Sequence, residues 1–447
     1  FLRTATTIVF VTLVFLFTSQ AQARQQNVPD DGDILDAVEF EVRHDEALTA
    51  DTLDVQVAEG VVSIGGQAES LFAKRRAVSI VGSLKGVRAV VDDIAVAPSG
   101  LEPSEIQENV ASALKEPWLS IKAPVVSVSN LGTVAMEGTV DSYASKALFE
   151  SAVTRVRGVR AVENNIRVSQ TLDRSAEKVS SEIARRFELS PFLDEDCIAL
   201  KISGNVVKLT GTVGTVNQKK LAKMLCWVAG VEKVDTGSQN VDPAKENSRP
   251  RKNVMVIQND VTLKKAVEDA LMYDPRIRAA RIDIRVKMGA VSLNGQVASL
   301  AAKNAAQRDA KNTLGVRRVI NYLKVKVVNW PGDEKITQEG KRALERDVEL
   351  YDLEIKPSSH FGKVYVRGQV NTMSQKNRVF DLLSNVRGVR EVINRVNVDH
   401  VWEEKPDQDI LEDASRRLRW SPFLDADRIS ISVDDGALTL EGEVDTW

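Results

Sequence analysis

Two glycines about 20 residues apart recur along this chain and divide it into units. The first closes a short alternating run, Val62-Ser63-Ile64-Gly65-Gly66. The run returns as Val134-Ala135-Met136-Glu137-Gly138, Val207-Lys208-Leu209-Thr210-Gly211, Val291-Ser292-Leu293-Asn294-Gly295, Val364-Tyr365-Val366-Arg367-Gly368 and Leu438-Thr439-Leu440-Glu441-Gly442. The second glycine opens a Gly-Val pair at Gly86, Gly158, Gly230, Gly315 and Gly388. Successive units lie about 73 residues apart, stretched to about 84 between Gly211 and Gly295. A near-fixed period of this kind marks a tandem array, so the 447 residues read as a row of small modules and not as one core.

Each unit carries the same order of patterns. An amphipathic helix comes first, as in Val261, Leu263, Ala266, Val267, Ala270 and Leu271. Pro117, Pro191, Pro275 and Pro422 stop such helices, each at a near-constant distance ahead of a strand glycine. An alternating strand follows (Ile282, Ile284, Val286), then a Gly or Asn turn, the glycine-ended strand, a second helix, Gly-Val and a third strand. The fold class is therefore α+β: αββαβ modules, each a three-stranded mixed sheet with two helices on one face. The modules span residues 31–97, 102–168, 173–241, 258–328, 332–399 and 407–447, with a polar linker at 242–257. The strand glycine shares parity with the buried residues before it, which predicts that it faces the core and lets a helix lie close. The Gly-Val glycine is expected to cap the second helix in a left-handed conformation. A unit of ~65 residues buries only about 60% of its unfolded surface, so docking between neighbours is expected.

A longer period lies above the first. Gly66-Gln67 with Ser70-Leu71 and Lys74 matches Gly295-Gln296 with Ser299-Leu300 and Lys303. Val156-Arg157-Gly158-Val159-Arg160 matches Val386-Arg387-Gly388-Val389-Arg390, and Ser190-Pro191-Phe192-Leu193-Asp194 matches Ser421-Pro422-Phe423-Leu424-Asp425. The strand glycines of matched units lie about 230 residues apart in all three pairs, the mark of a duplicated three-module block. The linker between the blocks is the hinge candidate. The sixth unit stops after its second strand, and the sequence is read as a fragment at that end.

Residues 1–23 read as a signal peptide: Arg3, an apolar run from Ile8 to Phe17, then Ala21-Gln22-Ala23. An uncleaved anchor is the alternative, but the run is half the ~20 residues that span a bilayer. Export permits a disulfide between Cys197 and Cys226, yet strand parity sets Cys197 on the face away from the core and Cys226 on the core side of a helix. Two independent thiols and one bond both stand as readings. A net charge of -3 speaks against nucleic acid as partner.

The strand glycines (Gly66, Gly138, Gly211, Gly295, Gly368, Gly442) and the Gly-Val signatures (Gly86, Gly158, Gly230, Gly315, Gly388) resemble the BON domain, named for bacterial osmotically inducible and nodulation proteins. The resemblance implies a periplasmic or envelope protein, linked to osmotic stress and to binding of phospholipid surfaces, without catalysis. Two modules are commoner in that family than the six here.

The residues themselves offer no enzyme constellation and no cofactor site. His44, His360 and His400 are scattered over different units and form no metal set. Asp194 with Asp196, and Asp425 with Asp427, precede strands and read as solvated loop acids; a calcium site is the alternative, without the loop spacing of a helix-loop-helix binder. The candidate contact surface is the end of the first helix in units 3 and 6: Arg185, Arg186 and Phe192, and Arg416, Arg417, Arg419, Trp420 and Phe423. Trp118 occupies the same place in unit 2. Cations beside aromatics suit an anionic bilayer surface. The plainer reading is that Phe192 and Phe423 plug the module core while the arginines cap the helix C-terminus. The expected partner is an anionic phospholipid surface; the alternative is a periplasmic scaffold that docks an envelope protein.

Overall fold

The computed structural model describes residues 28–48, 52–114, 123–169, 175–188, 190, 192–228, 230–245, 259–277, 281–313, 315–399, 405–421 and 424–444. Residues 1–23, Pro117, Trp118, Pro191, His400, Pro422, Phe423 and the linker from 246 to 257 lie outside them.

Module 1 runs α1 (Asp31–Arg43), β1 (Thr52–Ala58), β2 (Val61–Ala68), α2 (Leu71–Val81) and β3 (Ala89–Val96). Module 2 repeats this as α3 (Pro103–Leu114), β4 (Val125–Val128), β5 (Thr133–Val140), α4 (Tyr143–Thr154) and β6 (Ala161–Val168). Module 3 has α5 (Ala176–Glu188), β7 (Ile198–Ser203), β8 (Val206–Val213), α6 (Val216–Leu225) and β9 (Lys233–Val241). Module 4 has α7 (Asp260–Tyr273), β10 (Arg281–Lys287), β11 (Ala290–Val297), α8 (Leu300–Lys311) and a third strand split into β12 (Arg318–Asn321) and β13 (Lys324–Val325). Module 5 has α9 (Asp333–Glu345), β14 (Lys356–His360), β15 (Lys363–Val370), α10 (Met373–Asn385) and β16 (Glu391–Val398). Module 6 is described as α11 (Asp407–Trp420), β17 (Ile429–Asp434) and β18 (Ala437–Gly442).

In module 1, β2 is central: β1 pairs with it antiparallel and β3 parallel. The hairpin explains the first pairing, and the α2 crossover explains the second. Val62 and Ile64 point inward, fully buried, and meet Ile34 and Val38 of α1 and Ala73 and Ala77 of α2. The predicted αββαβ order and mixed sheet are thus the observed architecture.

The predicted reason for the strand glycine is overturned. Gly66 is exposed, and it takes φ +104°. A Cβ there would collide with the carbonyl oxygen of Thr52 on β1. Gly211, Gly295 and Gly368 meet neighbouring backbone in the same way, at the carbonyls of Cys197 just ahead of β7, Arg281 at the start of β10 and Glu354 just ahead of β14. Approach of the neighbouring backbone, not a helix laid on the sheet, demands glycine at these four positions; at Gly138 the nearest atom is Pro124 Cα at 3.6 Å, and its φ of +150° alone favours glycine. The close helix belongs to the other glycine. Gly86 has the expected positive φ (+83°), but α2 has already ended at Val81, so it turns the chain beyond the cap. A Cβ on Gly86 would sit 2.9 Å from Ile34 Cδ1 of α1, and Gly158 and Gly388 face Ile106 and Ile336 likewise.

Two recurrent polar devices escaped the sequence reading. Ser70, Ser142, Thr215, Ser299 and Thr372 each cap a second helix by accepting from the N–H three residues on. Asp31 in α1 accepts from the N–H groups of Glu59 and Gly60, both at 2.8 Å, and so ties the helix start to the hairpin turn. Asp260, Asp333 and Asp407 do the same in modules 4, 5 and 6. Hydrogen bonds, with that from Ser359 first, hold the Asp333 carboxyl below its ordinary range.

The modules dock on one another. Leu71 of α2 is buried in the core of module 2, and its counterpart Leu300 of α8 is buried in that of module 5. Contact is not limited to chain neighbours. Ala301 of module 4 reaches the core of module 2. Between modules 2 and 5 the Arg157 N–H donates to Arg346 O at 2.9 Å, and the Val348 N–H to Arg155 O at 3.0 Å. Tyr143 of module 2 stacks on Trp227 of module 3, ring centroids 4.1 Å apart.

Candidate functional site

The two helix ends singled out by sequence meet different surroundings. In α5, Val179, Ile183 and Phe187 form the buried stripe at four-residue spacing. Arg185, off that stripe, is exposed. Arg186 Nη2 donates to Glu182 Oε1 at 3.0 Å, and Nη1 reaches Trp227 O at 3.5 Å. Phe187 fills the module core, whereas Phe192 is only half-buried. In α11 none of the described side chains is buried. The Arg416 guanidinium lies 4.5 Å above the Phe40 ring of α1. Arg417 Nε is 3.7 Å from Glu41 Oε1, and its Nη2 donates to His44 O at 3.4 Å. Trp420 packs against the core of module 1, and Arg419 is exposed. Trp118 and Phe423 lie outside the described residues.

Trp420 and Arg417 form part of the wall of a cleft of about 1060 Å³ where modules 1, 2, 5 and 6 meet. Five arginines line it: Arg76, Arg155, Arg157, Arg160 and Arg417. Arg76 grips Asp45 through Nε and Nη2 at 3.0 and 2.8 Å, and that hydrogen bond raises its pKa. Arg155 pairs with Glu349 and stacks 3.7 Å from the Phe72 ring centroid. Burial lowers the Arg155 pKa and raises that of Glu349. Arg157 stacks on Tyr351 at 4.2 Å, and Arg160 donates twice to Val96 O, at 3.0 and 2.7 Å. Six carboxylates share the wall (Glu41, Asp45, Glu46, Glu69, Glu349 and Asp352), so the cleft is charge-balanced. Arg155, Arg157, Arg160 and Arg417 each tie one module to another, while Arg76 bonds within module 1. Sequence reasoning noticed Arg157 and Arg160 as repeat markers and missed that role; arginines flanking Gly-Val were the available signal.

Both cysteines are free thiols. Cys197 belongs to a short 3-10 turn ahead of β7 and not to the strand itself, with its Sγ 3.4 Å from Asp194 Oδ2. Cys226 ends α6 fully buried, and burial pushes its thiol up to about 12. Among the described residues no group of three His, Cys, Asp or Glu side chains is placed to hold a metal ion. No described helix is long and apolar enough to cross a membrane.

The BON domain pattern matches residues 30–98, 104–170, 175–237, 259–327, 332–400 and 406–447. The chain belongs to the BON domain family. Its BON modules are similar to those of named proteins. The outer membrane lipoprotein DolP of Haemophilus influenzae is 33% identical over 140 residues, spanning 30% of this chain and 72% of that protein. The osmotically-inducible protein Y of Escherichia coli is 27% identical over 195 residues, spanning 40% of this chain and 97% of that protein. A 21 kDa hemolysin of Actinobacillus pleuropneumoniae is 28% identical over 144 residues, spanning 31% of this chain and 74% of that protein. None of the three names describes an enzyme.

Proposed function

We propose that this chain is an exported, non-enzymatic periplasmic protein that binds anionic phospholipid surfaces through its BON modules and serves in osmotic or envelope stress. One observation carries the reading: Arg185 of α5 and Arg416, Arg417 and Arg419 of α11 are all exposed at matching helix ends, beside Phe192 and Trp420. Each cation near an anionic leaflet contributes about 1 kcal/mol, and linked weak sites gain avidity when they meet one surface together. The printed names of an outer membrane lipoprotein and an osmotically inducible relative agree with such a setting. Liposome co-sedimentation tests it. Wild type pellets with phosphatidylglycerol vesicles at low salt, and the combined Arg185→Gln and Arg419→Gln variant pellets less. Absence of pelleting removes the reading.

A scaffold that docks envelope proteins is the second reading. It is favoured by the way the α11 end already serves as a protein-binding surface, closing on Phe40, Glu41 and His44 of α1. A saturable protein partner from envelope extract, with no vesicle binding, selects it.

A further inference from the structure

In modules 1 and 5 an ion pair joins the end of the first helix to the second. Asp45 and Asp347 follow α1 and α9, and Arg76 and Arg378 of the second helices hold them, with Nη2 to Oδ2 distances of 2.8 and 2.7 Å. Asp274 takes the matched place after α7, at the same distance from Asp260 as Asp45 from Asp31 and Asp347 from Asp333. Module 4 sets no cation against it from its second helix. Counted from the caps Ser70, Ser299 and Thr372, the residue that matches Arg76 and Arg378 is Ala305, which is fully buried. One turn further along α8 stands Asp309, where the other modules carry Ile80, Ala152, Leu225 and Leu382. Two carboxyl groups therefore meet at the joint that modules 1 and 5 close with a carboxylate and a guanidinium.

Asp274 is 9% exposed, and the Asp309 carboxyl lies within hydrogen-bonding reach of it. Arg276 serves Asp274: its backbone N–H donates to Oδ1 at 2.8 Å, and its Nε reaches the same oxygen at 2.9 Å. No donor serves Asp309 Oδ2, which is sealed from solvent. The charged groups that act on Asp309 are Asp274 and Arg276, from the turn after α7, and Arg308 of its own helix. Asp381 of α10 acts on Arg276 as well. Asp274 caps the C-terminus of α7 and Asp309 lies in the last turn of α8, where the helix dipole disfavours negative charge.

The guanidinium of Arg276 neutralises one carboxylate, and the second charge needs a proton. Burial, and then the charge of Asp274, pushes the Asp309 carboxyl up to about 7. Burial also works to raise Asp274, but the hydrogen bonds from Arg276 outweigh it and hold that carboxyl below its ordinary range. The joint matters beyond its own module. Leu300 at the start of α8 is buried in the core of module 5, and the next residue, Ala301, in that of module 2, so this helix joins the two duplicated blocks.

We propose that the contact between Asp274 and Asp309 is a proton-operated latch on the seam between the blocks. With one proton shared by the two carboxyl groups, α7 and α8 close on each other. Loss of that proton to solvent leaves two carboxylates against one guanidinium, loosens α8 and weakens its hold on modules 2 and 5. The latch does not rest on lipid binding. Its sign follows from the raised carboxyl of Asp309: the folded chain keeps a proton that the unfolded chain gives up at about pH 4. The stability it confers is complete below that pH and is lost as pH rises through about 7. Residues 258–328 contain no histidine, so no imidazole of module 4 titrates in the same window.

Hydrogen exchange of the full chain, corrected for the intrinsic pH dependence of the exchange chemistry, tests the latch. Opening of α8 and of the end of α7 is expected to be roughly tenfold more frequent at about pH 8 than at about pH 5.5. Asp309→Asn, whose amide donates to Asp274 as the shared proton does, abolishes the difference and keeps both helices protected at either pH. Asp309→Leu, the side chain of modules 3 and 5 at this position, abolishes it without a hydrogen bond. Protection at residues 148–156 of module 2, where Ala301 docks, falls together with that of α8 in the wild type. Exchange in α8 indifferent to pH overturns the proposal, as does a pH response that survives both substitutions. A response in α8 with none at residues 148–156 overturns the role at the seam.

Discussion

The ends of α5 and α11 begin from the same sequence and finish in different jobs. Arg186 and Arg417 occupy matched positions of the duplicated block. Arg186 turns inward to its own module, bonded to Glu182 one helical turn back and to Trp227 O. Arg417 turns outward to Glu41 and His44 of module 1. The carboxylate that matches Glu182 is Asp413, and Lys405 holds it at 3.0 Å. With that partner taken, Arg417 is left to reach across. The matched apolar positions diverge too: Phe187 is buried in module 3, while Leu418 is only half-buried in module 6. One repeated segment is thus a core element in one copy and a docking element in the other. The neighbours decide which.

The largest expected effect tests the core role. Phe187→Ala removes about 3–5 kcal/mol from module 3, whereas Leu418→Ala costs about 1 kcal/mol in module 6. Hydrogen exchange resolved by module checks both, and equal losses would break the distinction. Cys226 adds a second reporter confined to module 3. Its thiol is raised from 9.0 to about 12 by burial, so the unfolded chain ionises first as pH climbs. The stability contributed by the neutral thiol is complete below about pH 9 and is lost toward pH 12, at up to about 1.4 kcal/mol per unit. Cys226→Ala flattens that slope in alkaline unfolding curves, and module 6 does not respond.

Trp420→Ala tests the docking role. It costs about 1–2 kcal/mol of contact between modules 6 and 1, read as faster exchange at residues 40–44 without loss of the sheet in either module. The smallest effect belongs to the exposed ion pair. Arg417→Gln weakens the same contact by about 0.5 kcal/mol, and the difference from wild type fades as salt is raised. Arg186→Gln leaves residues 40–44 unchanged.

Fold class was legible because its signals are local. Alternation in Val62 and Ile64, the helical spacing of Val261 to Leu271 and the turn glycines report φ, ψ and burial within a few residues. The positions of the signature glycines were legible, as was the positive φ of the Gly-Val glycine, but the reason for the strand glycine was not. Parity along a strand cannot reveal that Gly66 lies at φ +104° against the carbonyl of Thr52, because that clash is with a residue on the neighbouring strand. The tie from Asp31 to Glu59 and Gly60 was missed for the same reason, since it spans 28 and 29 residues. The candidate contact residues were found as a pattern, and their surroundings were not. Nothing in Arg416-Arg417-Leu418-Arg419-Trp420 states that α1 lies beside it.

The sequence by itself determined the module: its αββαβ order, its duplication in blocks of three and its family, because each rests on short-range periodicity repeated at fixed intervals. Only the tertiary structure decided how modules meet. Leu71 and Leu300 leave their own cores for a neighbour's, and five arginines from modules 2, 4 and 5 gather around one cavity. Such contacts join surfaces far apart along the chain, and each side chain's partner depends on which charges and apolar patches its own module has already satisfied.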